Sequence, residues 1–295
     1  MTGCHICNTP ASFFLKKDGY DFWKCSTCGL VFVHPQPAEK HLHEEVYSEK
    51  AGYQKHRKKV ATQESRHVRK ILEYLQREVP RGKLLDVGCS NGDFLHFAGE
   101  RGFDVHGVEV NSLTADVARA RGLDVRQGTL YDARYPDGFF DVVFLGDIIE
   151  HVRDPRQLLV ECKRVLKAGG TLVISTPNLD SFWARTTHKL YRWFKIPWSV
   201  LTPPHHLFQF SENNLKQFLG HNNFSPIATW FRRPPTLKYE LGSLHLWGKF
   251  KRDRTFGNLF FMFFAFTAYT VLYALDILMV PFKKKDFGMI LASKK

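Results

Sequence analysis

The residues best suited to chemistry begin in an apolar run that ends in a glycine-rich turn. Residues 84–87 suit a parallel strand covered on both faces, and Gly88 and Gly92 follow where the backbone must bend close to a ligand. A helix after that turn would aim free backbone N–H groups at the ligand. The next apolar strand ends in Glu109, whose carboxylate would meet the hydroxyls of a ribose. The pattern predicts a nucleoside-containing ligand, but Ser90 stands where a dinucleotide fingerprint has glycine.

Four cysteines form a second candidate site. Cys4, Cys7, Cys25 and Cys28 make two Cys-x-x-Cys pairs, and four thiolates complete a tetrahedral zinc site. The segment is too short to fold on its own apolar mass, so the metal would supply the missing stability. Because four thiolates leave no coordination position open, we expect a structural zinc ribbon, with His5 exposed and taking no part.

A third set combines oxygen and imidazole ligands. Asp147, Glu150 and His151 stand at i, i+3 and i+4, which share one face at the start of a helix. His206, in the later pair His205-His206, could supply a fourth ligand over the same crevice. Such ligands suit magnesium, manganese or iron. Two alternatives remain open: an ordinary helix cap with unrelated histidines, or His151 acting alone as a general base.

Alternating strands and helices must position these residues. Further strands are expected at residues 140–145, 171–176, 225–231 and 287–292, with a helix between the first two whose apolar face carries Leu158, Leu159, Cys162, Val165 and Leu166. This alternation predicts an α/β fold in which ligands bind at the carboxyl ends of the strands.

Several motifs occur in a fixed order: Asp86-Val-Gly-Cys89, Glu150-His-Val-Arg-Asp-Pro155 and Ile174-Ser-Thr-Pro-Asn178. This set resembles the class I S-adenosylmethionine (SAM)-dependent methyltransferases over roughly residues 82–232 and again in the last strand. The resemblance implies an α/β, Rossmann-like sheet of seven strands, the last one antiparallel, and SAM as cofactor. It implies that Gly88 and Gly92 pass near the methionine part of SAM and that Glu109 binds the ribose. The cofactor site that it implies comprises Asp86, Gly88, Cys89, Gly92, Glu109, Thr129 and Asp147, although Thr129 stands where an acid is common.

Two finer resemblances concern the metal sites. A zinc ribbon before such a domain is similar to bacterial enzymes that modify sugars or surface glycans, and also to some ribosomal RNA guanine methyltransferases. The set Asp147, Glu150, His151 and His206 resembles the "ExxEH…H" metal set of small-RNA terminal 2′-O-methyltransferases and ubiquinone-pathway O-methyltransferases, with Asp147 replacing the first glutamate. That resemblance implies catalytic roles for Glu150 and His151 with Mg²⁺ or Mn²⁺.

Charge and apolar segments indicate where the protein works. The net charge of +13 favours anionic partners, and the N-terminus carries no apolar signal segment. The spacing of apolar residues over 181–195 predicts a helix whose one face carries Phe182, Trp183, Thr186, Leu190, Trp193 and Phe194. Basic residues lie around the other side: Arg185, Lys189, Arg192 and Lys195. Residues 255–275 carry no charge and are long enough to span a bilayer. Basic residues flank them at Lys249, Lys251, Arg252, Arg254 and residues 283–285, and a basic run at residues 55–59 could contact a phosphate.

A single membrane crossing would separate two strands that must pair, because the apolar segment lies between residues 225–231 and 287–292. We therefore expect a cytoplasmic protein that is peripherally or monotopically associated with an anionic membrane surface. The expected function is O-methylation of an amphipathic or lipid-linked acceptor; an RNA methyltransferase and a SAM-binding adaptor without catalysis remain alternatives. The expected division is a zinc ribbon at 1–37, a helical linker at 38–80, a SAM-binding core at 81–237 with a lid at 181–208, an apolar membrane-associated segment at 238–285 and the final strand at 286–295.

Overall fold

The structure, a computed structural model, describes residues 2–38, 60–232, 255–278 and 288–295, together with residues 42, 237, 241, 242 and 253. The basic run at residues 55–59 and the basic flanks Lys249, Lys251, Arg252, Arg254 and residues 283–285 lie outside the described residues. Residues 39–41 and 43–59 of the expected linker and most of the first part of the expected membrane segment lie outside them as well.

Two sheets contain the described strands. The strands are β1 (Thr2–Gly3), β2 (Pro10–Lys17), β3 (Tyr20–Cys25), β4 (Val31–Val33), β5 (Lys83–Val87), β6 (Asp104–Glu109), β7 (Asp124–Gln127), β8 (Phe140–Gly146), β9 (Leu166–Pro177), β10 (Phe208–Gln209), β11 (Ser225–Arg232) and β12 (Gly288–Lys294). The helices are α1 (Arg66–Glu78), α2 (Asp93–Gly99), α3 (Ser112–Ala120), α4 (Leu130–Ala133), α5 (Pro155–Val165), α6 (Phe182–Phe194), α7 (Glu212–His221) and α8 (Phe256–Leu278).

The larger sheet has seven strands in the order β11-β12-β9-β8-β5-β6-β7. Its central pairs are parallel, whereas β12 runs antiparallel to both β9 and β11. The predicted seven-stranded sheet with an antiparallel last strand is therefore confirmed. Leu84 and Leu85 in β5 belong to two different core clusters, because successive side chains of a strand point to opposite faces of the sheet. Both faces are covered, which explains the continuous apolar run.

The smaller sheet holds the four cysteines and has an unexpected fifth strand. Its order is β1-β2-β3-β4-β10, so β10 reaches it from a point far along the chain. Phe208 pairs with Phe32 and Gln209 with Val31. The ribbon is thus joined to the larger domain by backbone pairing, and the sequence boundary at residue 37 does not mark an independent unit.

The expectation that His5 is exposed and idle is wrong. Its ring packs edge-on against Phe32 and Phe208, with centroids 5.1 and 4.9 Å away. Burial lowers the pKa of His5, the nearby positive charges of His34 and Arg156 act in the same direction, and Asp154 opposes them. The side chain therefore belongs to the contact between ribbon and domain.

Helix α6 begins where expected, but its aromatic residues do not share one buried face. Ser181 caps the helix by accepting a hydrogen bond from the Ala184 N–H, and Trp183 is fully buried. Trp193, by contrast, is 67% exposed, and Phe194 is also exposed. The last turn of α6 consequently presents two aromatic rings to the exterior.

Helix α8 packs on α6 by one side only. Its Tyr269 meets the ring of Trp183 at 5.6 Å, and the Tyr269 hydroxyl donates to the Pro197 carbonyl. Among the described residues, α8 is the helix long and apolar enough to cross a membrane, and 22% of its most apolar window is buried. Phenylalanines along its other side are exposed, beginning with Phe256 at 83%.

Candidate active site

The glycine turn after β5 is shaped by the segment that follows β8. Gly88 has φ +74°, and a Cβ there would lie 2.3 Å from Ile148 Cδ1. The N–H groups of Gly88 and Cys89 both donate to the Val108 carbonyl, at 2.8 and 3.1 Å. These bonds fix the turn between two neighbouring strands, and Gly88 is required both for its backbone angle and for the close approach of Ile148.

Gly92 is required for packing. Its φ is +78°, and a Cβ would lie 2.3 Å from Leu123 Cδ1 and 3.1 Å from Ala118 Cβ. Gly92 does not line the cavity described below, so its expected position beside the methionine part of the cofactor stays a prediction. The second glycine of the motif lets the glycine turn pack against α3 and the residues that follow it.

The Glu109 carboxylate organises the same turn. It is almost fully buried, with one oxygen accepting from the Ser90 N–H and the other from the Asn111 N–H, both at 2.8 Å. Each carboxylate oxygen has a second lone pair that a ribose hydroxyl could use. The predicted role in ribose binding is compatible with this geometry.

A cavity of about 410 Å³ opens at the carboxyl ends of β5, β8 and β9. Four of the predicted cofactor residues line it: Asp86, Gly88, Cys89 and Asp147. Gly92, Glu109 and Thr129 do not. The remaining residues of the cavity wall were not among the predicted cofactor residues: His67, Val68, Ser90, Asn91, Asp93, Phe94, Phe144, Gly146 and Ser175.

Sequence reasoning had no signal for the wall that α1 contributes. His67 and Val68 follow the cap Ser65, whose hydroxyl accepts from the Val68 N–H. The expected helical linker therefore closes one side of the cavity. Phe94 and Phe144 stack at 4.1 Å and form an apolar part of the wall.

Asp86 lies at the buried end of this cavity. Burial raises the pKa of Asp86 to about 8, and the neighbouring Glu109 carboxylate acts in the same direction. Both effects favour the protonated form of the Asp86 carboxyl group, whose O–H could donate to a ligand. Burial also raises the pKa of the Cys89 thiol, which keeps it a neutral, compact packing group.

Thr129 has a local structural role. It is the N-cap of α4, where its hydroxyl donates to the Asp132 carboxylate at 2.6 Å and accepts from the Asp132 N–H. The reciprocal bond from the Thr129 N–H completes a capping box. Its predicted contact with adenine stays a prediction.

The segment after β8 is a turn, and the expected helix start at Asp147 is wrong. Asp147 has φ +55°, and the His151 N–H closes a turn onto the Ile148 carbonyl. The helix begins at Pro155, where Asp154 supplies the cap. Proline fits the first helical position and disfavours helical geometry in the residue before it, which explains the later start.

Asp147 is consequently separated from the other three members of its set. Its carboxylate accepts from the Arg232 guanidinium at 2.5 Å and from the Ser175 hydroxyl at 3.2 Å, and it faces the cavity. Arg232 ends β11 and lies directly over Gly288 of β12, where a Cβ would meet its side chain at 2.2 Å. Sequence reasoning missed this arginine because only the pairing of β11 with β12 brings it to Asp147, which lines the cavity.

Glu150, His151 and His206 do come together. One ligand atom from each lies within 4.8 Å of the other two, and the two imidazole rings meet edge-on at 4.7 Å. The Leu207 and Phe208 N–H groups both donate to the Glu150 carbonyl, at 2.8 and 3.1 Å. These backbone bonds bring the distant His206 to the turn.

This cluster contains buried polar atoms without a hydrogen-bond partner. Both Glu150 carboxylate oxygens and His206 Nδ1 are shielded from solvent and lack a hydrogen bond of normal geometry, although the Thr176 hydroxyl lies close enough to Glu150 to favour its ionised form. Burial, reinforced by Asp147, raises the pKa of Glu150 to about 8. Burial lowers the pKa of His206 well below its usual range, and the neighbouring His151 and His205 add to this. Unsatisfied buried groups are costly, so their grouping indicates a site that binds a further species.

The His151 ring has a defined orientation. Its Nδ1 lies 2.6 Å from the His205 carbonyl, an acceptor, so Nδ1 carries the hydrogen. In the neutral ring, Nε2 is then the unprotonated nitrogen. That nitrogen is suited to accept a proton or to bind a cation.

The four cysteines lie within 4.8 Å of one another. Cys4 Sγ and Cys28 Sγ are 3.4 Å apart, and Cys7 Sγ and Cys25 Sγ are 3.5 Å apart. Zinc–sulfur bonds of about 2.3 Å would place tetrahedral sulfurs roughly 3.8 Å apart. The arrangement therefore fits one tetrahedral ion, as the spacing predicted.

Comparison with known proteins adds family information. Residues 53–229, more than half of the chain, match the family model described as a methyltransferase domain. A protein of Mycolicibacterium smegmatis, described as a probable S-adenosylmethionine-dependent methyltransferase, is 36% identical over 101 residues, which is 34% of this chain and 39% of that protein. A ubiquinone biosynthesis O-methyltransferase of Hahella chejuensis is 35% identical over 107 residues, or 34% of this chain and 45% of that protein. The matches thus span less than half the length of these two relatives.

Among solved structures, the cyclase SpnF is similar, with a TM-score of 0.50 and 19% identity over 77% of this chain and 80% of that chain. At that identity the likeness shows the fold alone.

Proposed function

The chain belongs to the methyltransferase-domain family, and from that premise we propose that it transfers a methyl group from SAM to a hydroxyl of an amphipathic, lipid-linked acceptor such as a lipid-linked sugar. The observation that carries the proposal is the cluster of Glu150, His151 and His206, in which Glu150 and His206 have buried, unbonded polar atoms. Glu150 follows the cavity-lining Asp147 by three residues, so the cluster lies next to the cavity. The cavity would hold the methyl donor, and the cluster would serve the acceptor.

SAM fits the cavity by the character of its walls. Backbone groups of the glycine turn would meet the methionine part. Glu109 is outside the cavity wall but accepts the N–H of the cavity-lining Ser90, and we propose that it binds the ribose there. The stacked rings of Phe94 and Phe144 offer an apolar wall that excludes water. Asp147, held by Arg232, would meet positive charge on the donor, such as its amino group.

Methyl transfer needs an aligned nucleophile and a place for its proton. In the displacement, the acceptor oxygen forms a bond to the methyl carbon as the carbon–sulfur bond breaks, and the sulfur keeps the electron pair. The hydroxyl proton passes to a base, and His151 Nε2 is suited to take it because Nδ1–H is committed to the His205 carbonyl. Alignment of donor and acceptor supplies the rest of the acceleration.

The residues present also fit a divalent cation. Glu150, His151 and His206 would hold it, and the unbonded oxygens of Glu150 are the atoms that such an ion would satisfy. When bound, an ion such as Mg²⁺ or Mn²⁺ would supply Lewis acidity to an acceptor hydroxyl. Asp147 is outside this set because its carboxylate is not among the ligand atoms that lie together. For the cysteine cluster, the four-thiolate geometry favours structural Zn²⁺.

The exposed side of α8 supports an amphipathic acceptor at a membrane. Phe256, Phe260, Phe263, Val271 and Leu278 are exposed along the length of the helix. Their spacing puts them along one stripe of a 3.6-residue helix, opposite the buried Tyr269 side. Large exposed apolar surface of this kind is typical of membrane or protein contacts.

Helix α6 adds the charge that selects a bilayer. The Phe194 and Phe264 ring centroids are 5.2 Å apart, so the exposed end of α6 and the exposed side of α8 form one surface. Exposed basic residues follow α6 on its outer side: Arg185, Lys189, Arg192 and Lys195. Each Lys or Arg near an anionic membrane surface contributes about 1 kcal/mol to binding. We propose that this surface lies monotopically on the cytoplasmic leaflet, because β11 and β12, on either side of α8 in the chain, pair in one sheet.

The test is transfer of radiolabelled methyl from SAM into fractionated cell extract, with Glu150→Gln protein as the blank. Label in the lipid or glycolipid fraction is expected, reduced when free divalent ions are chelated. Label in RNA instead would contradict the lipid-linked acceptor, and SAM binding without transfer to any fraction would indicate an adaptor.

A second test addresses the membrane. Vesicles containing about a third anionic lipid should retain the protein, and neutral vesicles should retain less. Replacing Phe256, Phe260 and Phe263 by serine should abolish retention, whereas replacing Phe13, an exposed phenylalanine of β2, by serine should not. If the triple variant were retained as well as the parent protein, the proposed membrane surface would be wrong.

A further inference from the structure

The cysteine ribbon contacts the acceptor half of the site and does not line the cofactor cavity. The cavity wall is drawn from α1, the glycine turn, α2 and the ends of β8 and β9. Residues 205–210, by contrast, run between the ribbon and the turn that carries Glu150. The ribbon is therefore joined to the segment that contains His206.

Backbone bonds hold residues 207 and 208 from both sides. On one side, the Leu207 and Phe208 N–H groups donate to the Glu150 carbonyl. On the other, the Leu207 carbonyl accepts from the Val33 N–H at 2.9 Å, and Phe208 pairs with Phe32 in the ribbon sheet. His206 immediately precedes this doubly bonded segment, so its position depends on strand β4.

The ribbon also holds the loop that leads into this segment. The Lys17 ammonium of β2 donates to the Trp198 carbonyl at 2.7 Å and to the Leu201 carbonyl. Leu15, Phe22, Val31 and Val33 of the ribbon share one buried cluster with Trp183, Ile196, Trp198, Val200 and Leu201. The acceptor-side loop thus has much of its apolar support in the ribbon.

The cysteine knuckle itself is anchored to the larger domain. Arg156 donates to the His5 and Ile6 carbonyls, at 3.1 and 3.4 Å, and His221 lies 3.3 Å from the Ile6 carbonyl. Ile6 stands between the two cysteines of the first pair and is 2% exposed. At the second pair, the Cys25 N–H donates to the carbonyl of Leu30, the residue directly before β4, at 2.9 Å, so loss of the four-thiolate arrangement would be felt at β4 and at its partner β10.

We infer that the ribbon is a positioning element for the acceptor half of the active site: its cysteine-bound ion fixes β4, β4 fixes β10, and β10 places His206 beside Glu150 and His151. The reactive role of His206 rests on the proposed function, whereas the positioning does not. Disrupting the cysteine site should then disorder the acceptor half and leave SAM binding intact.

Hydrogen exchange read by mass spectrometry tests this without any acceptor. In Cys25→Ser protein, with loss of the ion verified by elemental analysis, peptides covering residues 203–211 should exchange at least about tenfold faster than in the parent protein. Peptides covering β5 and β6, and the Kd for SAM, should be unchanged.

Two adjacent lysines provide a milder matched pair in case the cysteine variant fails to fold. Lys17→Met should raise exchange at residues 196–210, whereas Lys16→Met should not, because Lys16 makes a surface ion pair with Asp21. Unchanged exchange at residues 203–211 after loss of the ion would overturn the inference. If the Cys25→Ser protein also loses SAM binding, it has unfolded generally and the lysine pair decides. Equal exchange at residues 196–210 in Lys17→Met and Lys16→Met protein would then overturn the inference.

Once an acceptor is identified, Lys17→Met should lower kcat with little effect on the KM for SAM. If no acceptor is methylated but the exchange pattern holds, the proposed function fails and the positioning role stands.

Discussion

The cofactor half and the acceptor half of the candidate site differ in how completely their polar groups are bonded. In the cofactor half, both oxygens of Glu109 accept backbone N–H groups, and the turn N–H groups are bonded to Val108. In the acceptor half, the Glu150 oxygens and His206 Nδ1 are buried without partners. The polar groups of the cofactor half are therefore satisfied by the protein itself. Those of the acceptor half are not, so a species that bonded to them would bind favourably.

The largest effect should come from the acceptor half. Glu150→Gln is expected to lower methyl transfer by about 1,000-fold, because it removes the carboxylate that binds or orients the reacting groups. SAM affinity, measured by calorimetry, should be unchanged. Glu161→Gln is the matched control, since Glu161 makes an ion pair with Arg164 away from the cavity. Equal loss of SAM binding would contradict the separation of the two halves.

A substitution in the cofactor half should instead affect SAM binding. Glu109→Ala should weaken SAM binding by about 100-fold, because it removes the proposed ribose acceptor and leaves two buried N–H groups unbonded. Asp116→Ala, at a surface ion pair with Arg119, should leave the Kd unchanged. Wild-type affinity in Glu109→Ala protein would show that the ribose is bound elsewhere.

The glycine turn can be tested by stability. Gly92→Ala should lower the free energy of unfolding by about 3 kcal/mol, combining a left-handed backbone angle with a clash against Leu123. Gly122→Ala has the same backbone angle but open space, so about 1 kcal/mol is expected. Urea denaturation measures the free energy of unfolding of both variants. Equal decreases would show that the protein relieves the clash with Leu123 at no cost.

The smallest effect concerns pH. The folded-state pKa of Glu150 is raised to about 8 from 4.5, so its contribution to stability is greatest below pH 4.5 and is lost as pH rises through 8. Glu150→Gln should therefore gain on the order of 2 kcal/mol over the parent protein between pH 5 and pH 8.5, in protein freed of loosely bound divalent ions. A difference independent of pH would contradict a buried, unpaired carboxyl group.

Local motifs explain why the cofactor half could be predicted. The run through Leu84, the turn glycines and Glu109 lie within one βαβ unit, where a fixed spacing determines a fixed geometry. The family and the seven-stranded sheet followed from that unit and from the later strands. The acceptor half was predicted as a set of residues but with incorrect local structure, because Asp147 lies in a turn and pairs with Arg232.

Contacts between distant segments explain what the sequence could not predict. Arg232 reaches Asp147 only through the register of β11 on β12, and His67 reaches the cavity only through the packing of α1. The two-residue strand β10 is too short for any periodic signal, although it connects the ribbon to His206. Residue spacing within a motif carries no information about such pairings.

The position of β12 between β9 and β11 has a consequence for synthesis. Because β12 follows α8 in the chain, the apolar helix leaves the ribosome while the facing edges of β9 and β11 are still unpaired. Closing the sheet requires pairing across a long sequence separation, which is a slow step in folding. During that delay the α8 phenylalanines and two open strand edges are exposed together, so early capture of α8 by a bilayer would shield the nascent chain from aggregation.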